Sequence, residues 1–118
     1  SGGMLITQSG PAGLLNFREC FTPIIHTLSG VFTMVQAYSV YIPSFVTPWG
    51  FCIATDSETD DDSNPQVVDR QIKQRINSTP RFYDGETRQH MFSLMSYLRR
   101  GIEEEQRTIT DDNPVFMV

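Results

Sequence analysis

The pattern of apolar and polar positions predicts three strands and three helices along the chain. An apolar run at residues 4–7 is typical of a buried strand, and a glycine-rich turn follows it. Two runs rich in β-branched and aromatic residues, 33–42 and 49–55, predict two more strands. Because only a short loop separates these two runs, we expect them to form an antiparallel pair.

The helices are predicted from apolar residues that recur at helical spacing. The first covers residues 16–28, with Asn16 and Glu19 as a capping pair; it either kinks at Pro23 or restarts there with Thr22 as its cap. The second begins with an asparagine cap followed by proline at residues 64–65. The third is predicted as one helix along an apolar stripe: Met91, Leu94, Met95, Leu98 and Ile102. The order β-α-β-β-α-α indicates an α/β fold.

Two stretches are predicted to be exposed. Residues 56–64 carry five acids and begin like a calcium loop, but Asp61 replaces the sharp-turn glycine and Val67 the closing glutamate, so we interpret them as a solvated loop. Residues 103–118, which include Glu105, are also predicted to be exposed. The apolar residues 115–118 could nevertheless dock against a surface.

The best candidate site lies between the second and third strands. Pro43 and Pro48 cannot donate to a strand ladder, so we expect the strands to stop beside them and hold a wide loop open. That loop carries Phe45 and the single tryptophan, Trp49, at the end of the sheet, where α/β sheets bind ligands. Gln8, at the end of the first strand, is either an amide aimed at a ligand or simply a polar residue that ends the strand.

Composition narrows the class of protein. The chain has 118 residues, enough for one domain, a net charge of −5 and a pI near 4.8, which argues against nucleic acid as a partner and suits a small cationic substrate. No apolar run approaches the roughly 18 residues of a membrane span. Cys20 and Cys52 are expected to be free thiols of a reducing compartment, the cytoplasm. Residues 1–3 do not resemble a signal peptide, and we interpret residues 1–2 as a cloning scar.

Catalytic motifs are missing from the sequence. It contains no Gly-x-Gly-x-x-Gly, no phosphate-binding loop, no nucleophile elbow around Ser9 and no metal-ligand spacing. The residues therefore predict a binding wall, with no catalytic residue and no metal site.

Five segments resemble the polyamine aminopropyltransferases, the family of spermidine and thermospermine synthases. They are residues 4–13 (MLITQSGPAG), 38–45 (YSVYIPSF), 49–56 (WGFCIATD), 68–76 (VDRQIKQRI) and 81–87 (RFYDGET). The resemblance implies that residues 1–118 are the C-terminal part of the catalytic domain, within a Rossmann-like, methyltransferase-like sheet. The family's nucleotide-binding motif and its general-base aspartate would then lie upstream, so the isolated chain is expected to be inactive.

The resemblance also implies roles for single residues. Gln8 matches the glutamine that faces the substrate amine, Phe45 takes the place of a tyrosine that lines the polyamine channel, and Trp49 fills the adjoining wall. The co-substrate would be decarboxylated S-adenosylmethionine, the acceptor putrescine or spermidine, and no cofactor is implied.

Two other functions stay open from the sequence. A non-catalytic homologue acting as a binding or regulatory module would explain phenylalanine at position 45, and a methyltransferase-like domain would share the α/β core. An uncovered sheet edge would favour a homodimer or a strand-exchanged assembly.

Overall fold

The computed structural model describes residues 2–57 and 64–118. Their elements, in chain order, are β1 (Met4–Pro11), α1 (Phe21–Ser29), β2 (Met34–Ile42), β3 (Thr47–Thr55), α2 (Pro65–Arg75), α3 (Gly85–Phe92) and α4 (Ser96–Glu104). The chain divides into two compact units. The first comprises residues 1–58 and 94–118 and holds the sheet, α1 and α4; the second comprises residues 59–93 and holds α2 and α3.

The sheet has the strand order β1-β3-β2, and β3 is antiparallel to both of its neighbours. β1 and β2 therefore run in the same direction, and α1 connects them. The predicted antiparallel pair is confirmed, and so is the α/β class. The predicted first strand is too short, since β1 continues to Pro11 through an irregularity that Gly10 permits with a φ of 82°. It is also not buried as predicted, because Met4, Leu5 and Ile6 are exposed.

The core of the first unit lies between α1 and one face of the sheet, which we call the inner face. Small residues on β3, Gly50 and Cys52 among them, allow close approach of the helix, and a Cβ on Gly50 would come within 2.2 Å of the Phe21 ring. Phe21 and Cys52 are fully buried. The remaining members of the cluster are Ala12, Phe17, Ile25 and Leu98.

The helix predicted for residues 16–28 is wrong over residues 16–20; of its two alternatives, the restart near Pro23 is the closer one, but the cap is Cys20 and not Thr22. Residues 14–20 form turns, and α1 begins at Phe21, so that Pro23 falls in the first turn, where its missing N–H costs nothing. Asn16 does not form the predicted capping pair with Glu19: its Oδ1 is buried and has no hydrogen-bond partner among the described residues.

The predicted order β-α-β-β-α-α also misses a helix. The stripe from Met91 to Ile102 is divided between α3 and α4, because residues 93–95 leave the helical conformation; Ser93 has a ψ of 83° and Met95 a ψ of 152°. The apolar residues keep a helical spacing across the break, so the sequence pattern does not reveal the break.

The second unit is a pair of short helices with capped N-termini. Asn64 caps α2 by accepting the N–H of Gln66 at 2.9 Å, as predicted, and Asp84 caps α3 by accepting the N–H of Thr87 at 2.8 Å. The backbones meet so closely that a Cβ on Gly85 would lie 2.0 Å from the Pro65 carbonyl oxygen. Glycine is therefore required at this helix crossing.

The C-terminal tail is only partly exposed. Phe116, Met117 and Val118 are exposed, as predicted, but the prediction is wrong for Glu105, whose side chain is 8% exposed. The acidic stretch 56–64 lies mostly outside the described residues. Over the ranges 2–57 and 64–118 the longest helix is α2, with 11 residues, and no helix has both the length and the apolar character of a membrane span.

Candidate functional site: an aromatic wall at the end of the sheet

The loop between β2 and β3 is tighter than predicted. A single 3₁₀ turn, Pro43–Phe45, joins the strands, and β3 already includes Pro48 and Trp49. Trp49 is therefore a strand residue that is only 8% exposed, not a loop anchor. Phe45, at the end of the turn, is 43% exposed and packs on Trp49 with 4.2 Å between the ring centroids. The structure thus brings together two of the three predicted residues, in a form that the sequence did not predict.

Backbone strain marks the same turn. Val46 follows Phe45 with a φ of 58°, in the left-handed region that β-branched residues rarely adopt. Strained backbone of this kind concentrates at ligand-binding sites, where the surrounding structure compensates for its cost. The conformation sets the direction in which the chain leaves the turn and enters β3.

Gln8 shares the outer face of the sheet with Trp49. In β1 it lies directly opposite Phe51 of β3, and directly opposed residues of an antiparallel pair point to the same face. Trp49 precedes Phe51 by two residues and so lies on that face as well, although the register of β1 against β3 shifts between Gln8 and Pro11, the partner of Trp49. The amide of Gln8 is exposed. The structure therefore places all three predicted residues on or beside one surface.

Sequence reasoning missed two aromatic residues of this surface. Tyr38 of β2 lies opposite Phe51, and their rings stack at 5.2 Å with 13° between the planes. The two-residue alternation of strands could have identified them, because Phe51 and Trp49 are of the same parity. We call Gln8, Tyr38, Phe45, Trp49 and Phe51 the aromatic wall.

The chemistry available at the predicted residues is binding. Gln8, Phe45 and Trp49 have no group that titrates near neutral pH, so they can hold a ligand but cannot remove its proton. The indole N–H of Trp49 is buried and has no acceptor among the described residues. Buried donors are normally paired, so we expect an ordered water, a ligand or another part of the protein to accept this N–H.

The turn after β1 is held against this wall from two sides. The backbone N–H of Ala12 donates to the Pro48 carbonyl oxygen at 2.8 Å, and the hydroxyl of Tyr97, on α4, donates to the Ala12 carbonyl oxygen at 2.6 Å. A Cβ on Gly13 would lie 2.6 Å from the Thr47 hydroxyl. Burial raises the pKa of Tyr97, so its hydroxyl stays protonated and available as a donor.

Other groups lie apart from the wall. A cavity of about 690 Å³ lies between Arg18, Glu19 and the tail from Arg107 onward, and none of the predicted site residues lines it. Burial raises the pKa of Cys52 to about 11. Among residues 2–57 and 64–118, no three His, Cys, Asp or Glu side chains are grouped in a way that could hold a metal ion.

Comparison with known proteins identifies relatives of the whole chain. No protein-family model matches it. It is 37% identical to the polyamine aminopropyltransferase of Sulfolobus acidocaldarius over 115 aligned residues. The aligned residues cover 98% of this chain and 37% of that protein. It is 31% identical over 115 residues to the thermospermine synthase ACAULIS5 of Arabidopsis thaliana, 98% of this chain and 33% of the relative. The polyamine aminopropyltransferase of Sulfurisphaera tokodaii is 38% identical over 97 residues, 82% of this chain and 32% of the relative.

The chain is thus related in sequence to the polyamine aminopropyltransferases, which confirms the resemblance seen in the five segments. It spans about a third of the length of these relatives and corresponds to a C-terminal part of them.

Proposed function

We propose that the protein of which this chain forms part transfers an aminopropyl group from decarboxylated S-adenosylmethionine to putrescine or spermidine. The amine nitrogen forms a bond to the propyl carbon next to the sulfonium, while the carbon–sulfur bond breaks and its electron pair returns to sulfur. Methylthioadenosine leaves, and the attacking nitrogen loses a proton to a base. The products are spermidine, spermine or thermospermine.

The observation that carries the proposal is the relationship to polyamine aminopropyltransferases over 98% of the chain. The aromatic wall supports it independently of sequence identity. The methylene chain of a polyamine packs on aromatic faces, and an ammonium group is attracted to the ring face of a partly exposed residue such as Phe45 by about 0.5–1 kcal/mol. The net charge of −5 also favours a cationic substrate.

Gln8 fits the neighbourhood of the nucleophile. An amine attacks only after it loses a proton, and a carboxylate beside it would instead stabilise the protonated form. The neutral amide of Gln8 accepts a hydrogen bond from the amine without doing so. The residues of this chain therefore bind and orient the acceptor, and the base is supplied from outside these 118 residues.

One of the two edges of the described sheet, the edge at β1, supports two further parts of the proposal. β1 pairs only with β3 in the described sheet, and its residues from Met4 to Gly10 carry neither a charge nor a proline that would protect the outer edge. We infer that another strand pairs there, either from a larger Rossmann-like sheet or from a second copy in a homodimer or strand-exchanged assembly. Size-exclusion chromatography with light scattering tests the second arrangement for the 118-residue chain, and a strictly monomeric species at high concentration contradicts it.

The free thiols support a cytoplasmic location. Neither Cys20 nor Cys52 forms a disulfide, and unpaired cysteines are typical of reducing compartments. Fractionation of cells that express the tagged full-length protein tests this assignment. Recovery of the protein in an oxidising compartment would contradict it.

The activity is tested with the full-length protein and with the 118-residue chain in parallel. We expect methylthioadenosine from the full-length protein when an amine and decarboxylated S-adenosylmethionine are both present, and none from the chain alone. Phe45→Ala in the full-length protein should raise KM for the amine about five-fold, the equivalent of about 1 kcal/mol. Phe82→Ala is the matched control, since Phe82 is 67% exposed and lies in the second unit. A full-length protein without transfer activity contradicts the proposal.

A second candidate function rests on phenylalanine at position 45. If its missing hydroxyl reflects a decayed site, the full-length protein is a binding or regulatory homologue, and Phe45→Tyr should increase turnover strongly. If the protein is an ordinary active variant, Phe45→Tyr should leave kcat unchanged, because the packing on Trp49 at 4.2 Å needs only the ring.

A further inference from the structure

Tyr97 contacts the turn after β1 through two separate parts of its side chain. Its ring packs edge-on against Phe17 of the core, with 5.1 Å between the centroids. Its hydroxyl reaches past the ring and donates to the carbonyl oxygen of Ala12 at 2.6 Å. Ala12 is fully buried, so this hydroxyl satisfies an acceptor that water does not reach.

The residue bound by Tyr97 is joined directly to the aromatic wall. Ala12 donates its N–H to Pro48, the neighbour of Trp49, and Pro11 is the cross-strand partner of Trp49. The same turn follows Gln8 by only a few residues, across the irregularity that Gly10 permits. A shift of Ala12 would therefore change the spacing between the amide of Gln8 and the indole of Trp49.

We propose that the Tyr97 hydroxyl is a positioning group for amine recognition: by fixing Ala12, it sets the distance between Gln8 and the Phe45–Trp49 pair. The inference rests on the proposed function, because it assigns a specificity role within that same site. Tyr97 does not touch the substrate. It acts only through the turn.

The first test uses the 118-residue chain and needs no substrate. Trp49 is its single tryptophan, so its fluorescence reports the wall alone. Tyr97→Phe keeps the ring contact and removes the hydroxyl; we expect a red shift of the Trp49 emission and faster quenching by acrylamide. Tyr83→Phe removes a hydroxyl from the second unit, and Phe17→Leu weakens the ring contact but keeps the hydroxyl bond. Both controls should leave the emission unchanged while the chain remains folded by circular dichroism.

The second test measures steady-state kinetics of the full-length protein. Tyr97→Phe should raise KM for the amine about five-fold, because Gln8 and the Phe45–Trp49 pair would no longer be held at the spacing that fits the amine, while KM for the aminopropyl donor stays unchanged. Tyr83→Phe should change neither constant. A lower melting temperature of Tyr97→Phe without a change in Trp49 emission or amine KM would make the hydroxyl merely structural and overturn the proposal. So would an emission shift without an effect on amine KM, or failure of Tyr97→Phe to fold.

The two tests separate this inference from the proposed function. If the wild-type full-length protein shows no aminopropyl transfer, the proposed function fails, and with it the assignment to amine recognition. The fluorescence comparison still decides whether the Tyr97 hydroxyl positions Trp49.

Discussion

Replacing Glu105 with glutamine should weaken the attachment of the C-terminal tail in a pH-dependent way. The carboxylate accepts a hydrogen bond from the Thr22 hydroxyl at 2.7 Å and another from the Arg107 guanidinium at 2.8 Å. Its side chain is 8% exposed, and Thr22, on α1, is fully buried. The Glu105→Gln variant keeps the size of the side chain and removes only the charge. The perturbation therefore measures how much the charged network holds the tail on α1.

The magnitude follows from the pKa. Burial by itself raises the pKa of Glu105, but hydrogen bonds from Arg107 and Thr22 outweigh it and lower the pKa from the ordinary value of 4.5 to about 2. A change of this size corresponds to about 3 kcal/mol. Arg107 is 53% exposed, and solvent screening reduces the value, so we expect Glu105→Gln to lower the free energy of unfolding by about 1–2 kcal/mol at pH 7.

The direction in which the stabilisation by Glu105 changes with pH also follows from the lowered pKa. Because the pKa is lower in the folded state, the carboxylate stabilises the fold fully above pH 4.5, and this contribution is lost as the pH falls towards 2. The difference between wild type and Glu105→Gln should therefore shrink over this interval. Urea unfolding at several pH values, followed by Trp49 fluorescence, measures the difference within the first unit.

Glu104→Gln is the matched control, because Glu104 is the preceding residue and also pairs with an arginine. Its partner Arg18 lies 3.1 Å away, but both side chains are more than half exposed, so the loss should stay below about 0.5 kcal/mol at every pH. Equal losses in the two variants would refute the reasoning. A Glu105→Gln loss of the same size at pH 7 and pH 2 would refute it as well.

Three further predictions concern packing, capping and thiol reactivity. Gly50→Ala should cost about 1–3 kcal/mol in thermal unfolding, since the new methyl group would lie 2.2 Å from the buried ring of Phe21; an unchanged melting temperature contradicts the close approach. Asn64→Ala should destabilise α2 by about 1 kcal/mol and Asn64→Ser much less, as measured by hydrogen exchange of the second unit. Cys52, with its pKa raised to about 11, should resist alkylation at pH 8 until the chain unfolds, whereas the partly exposed Cys20 reacts in the folded chain; equal rates would contradict the burial of Cys52.

The parts of the fold that could be predicted are those that depend on neighbours in sequence. The antiparallel pair of β2 and β3 follows from two β-rich runs and a short connection, and the start of α2 follows from Asn64 and Pro65. The break between α3 and α4 could not be predicted in this way, because the apolar spacing continues through Ser93. Periodicity reports which residues are apolar, not whether the backbone between them stays helical.

Pro48 shows how a correct local rule gave a wrong strand boundary. Proline cannot donate to a ladder, which predicted that β3 starts after it, yet Pro48 pairs with Tyr41 inside the strand. The N and C=O of one strand residue point to the same side, and the Pro48 carbonyl oxygen points away from β2, to the N–H of Ala12. An N–H at position 48 would therefore point to the side where β1 ends and not towards β2. Its absence in proline leaves the ladder with β2 intact. Which side of a strand lacks a neighbour depends on the sheet order, which no local pattern contains.

The same distinction applies to the candidate site. Gln8, Phe45 and Trp49 could be proposed from residue types, because strand ends, prolines and aromatic residues are local signals. What we propose to fix their spacing is not local: Tyr97 reaches Ala12 across 85 positions of the chain, just as Glu105 reaches Thr22 across 83 to hold the tail. No sequence motif marks either pair, and the residues that flank Tyr97 and Glu105 in the sequence give no sign of these contacts. A sequence with the same aromatic residues and phenylalanine at position 97 would match the same pattern, yet it should present a wall with altered spacing. The residue at position 97 should therefore distinguish related chains whose wall has the spacing of this one from those with an altered spacing, which Gln8, Phe45 and Trp49 alone do not do.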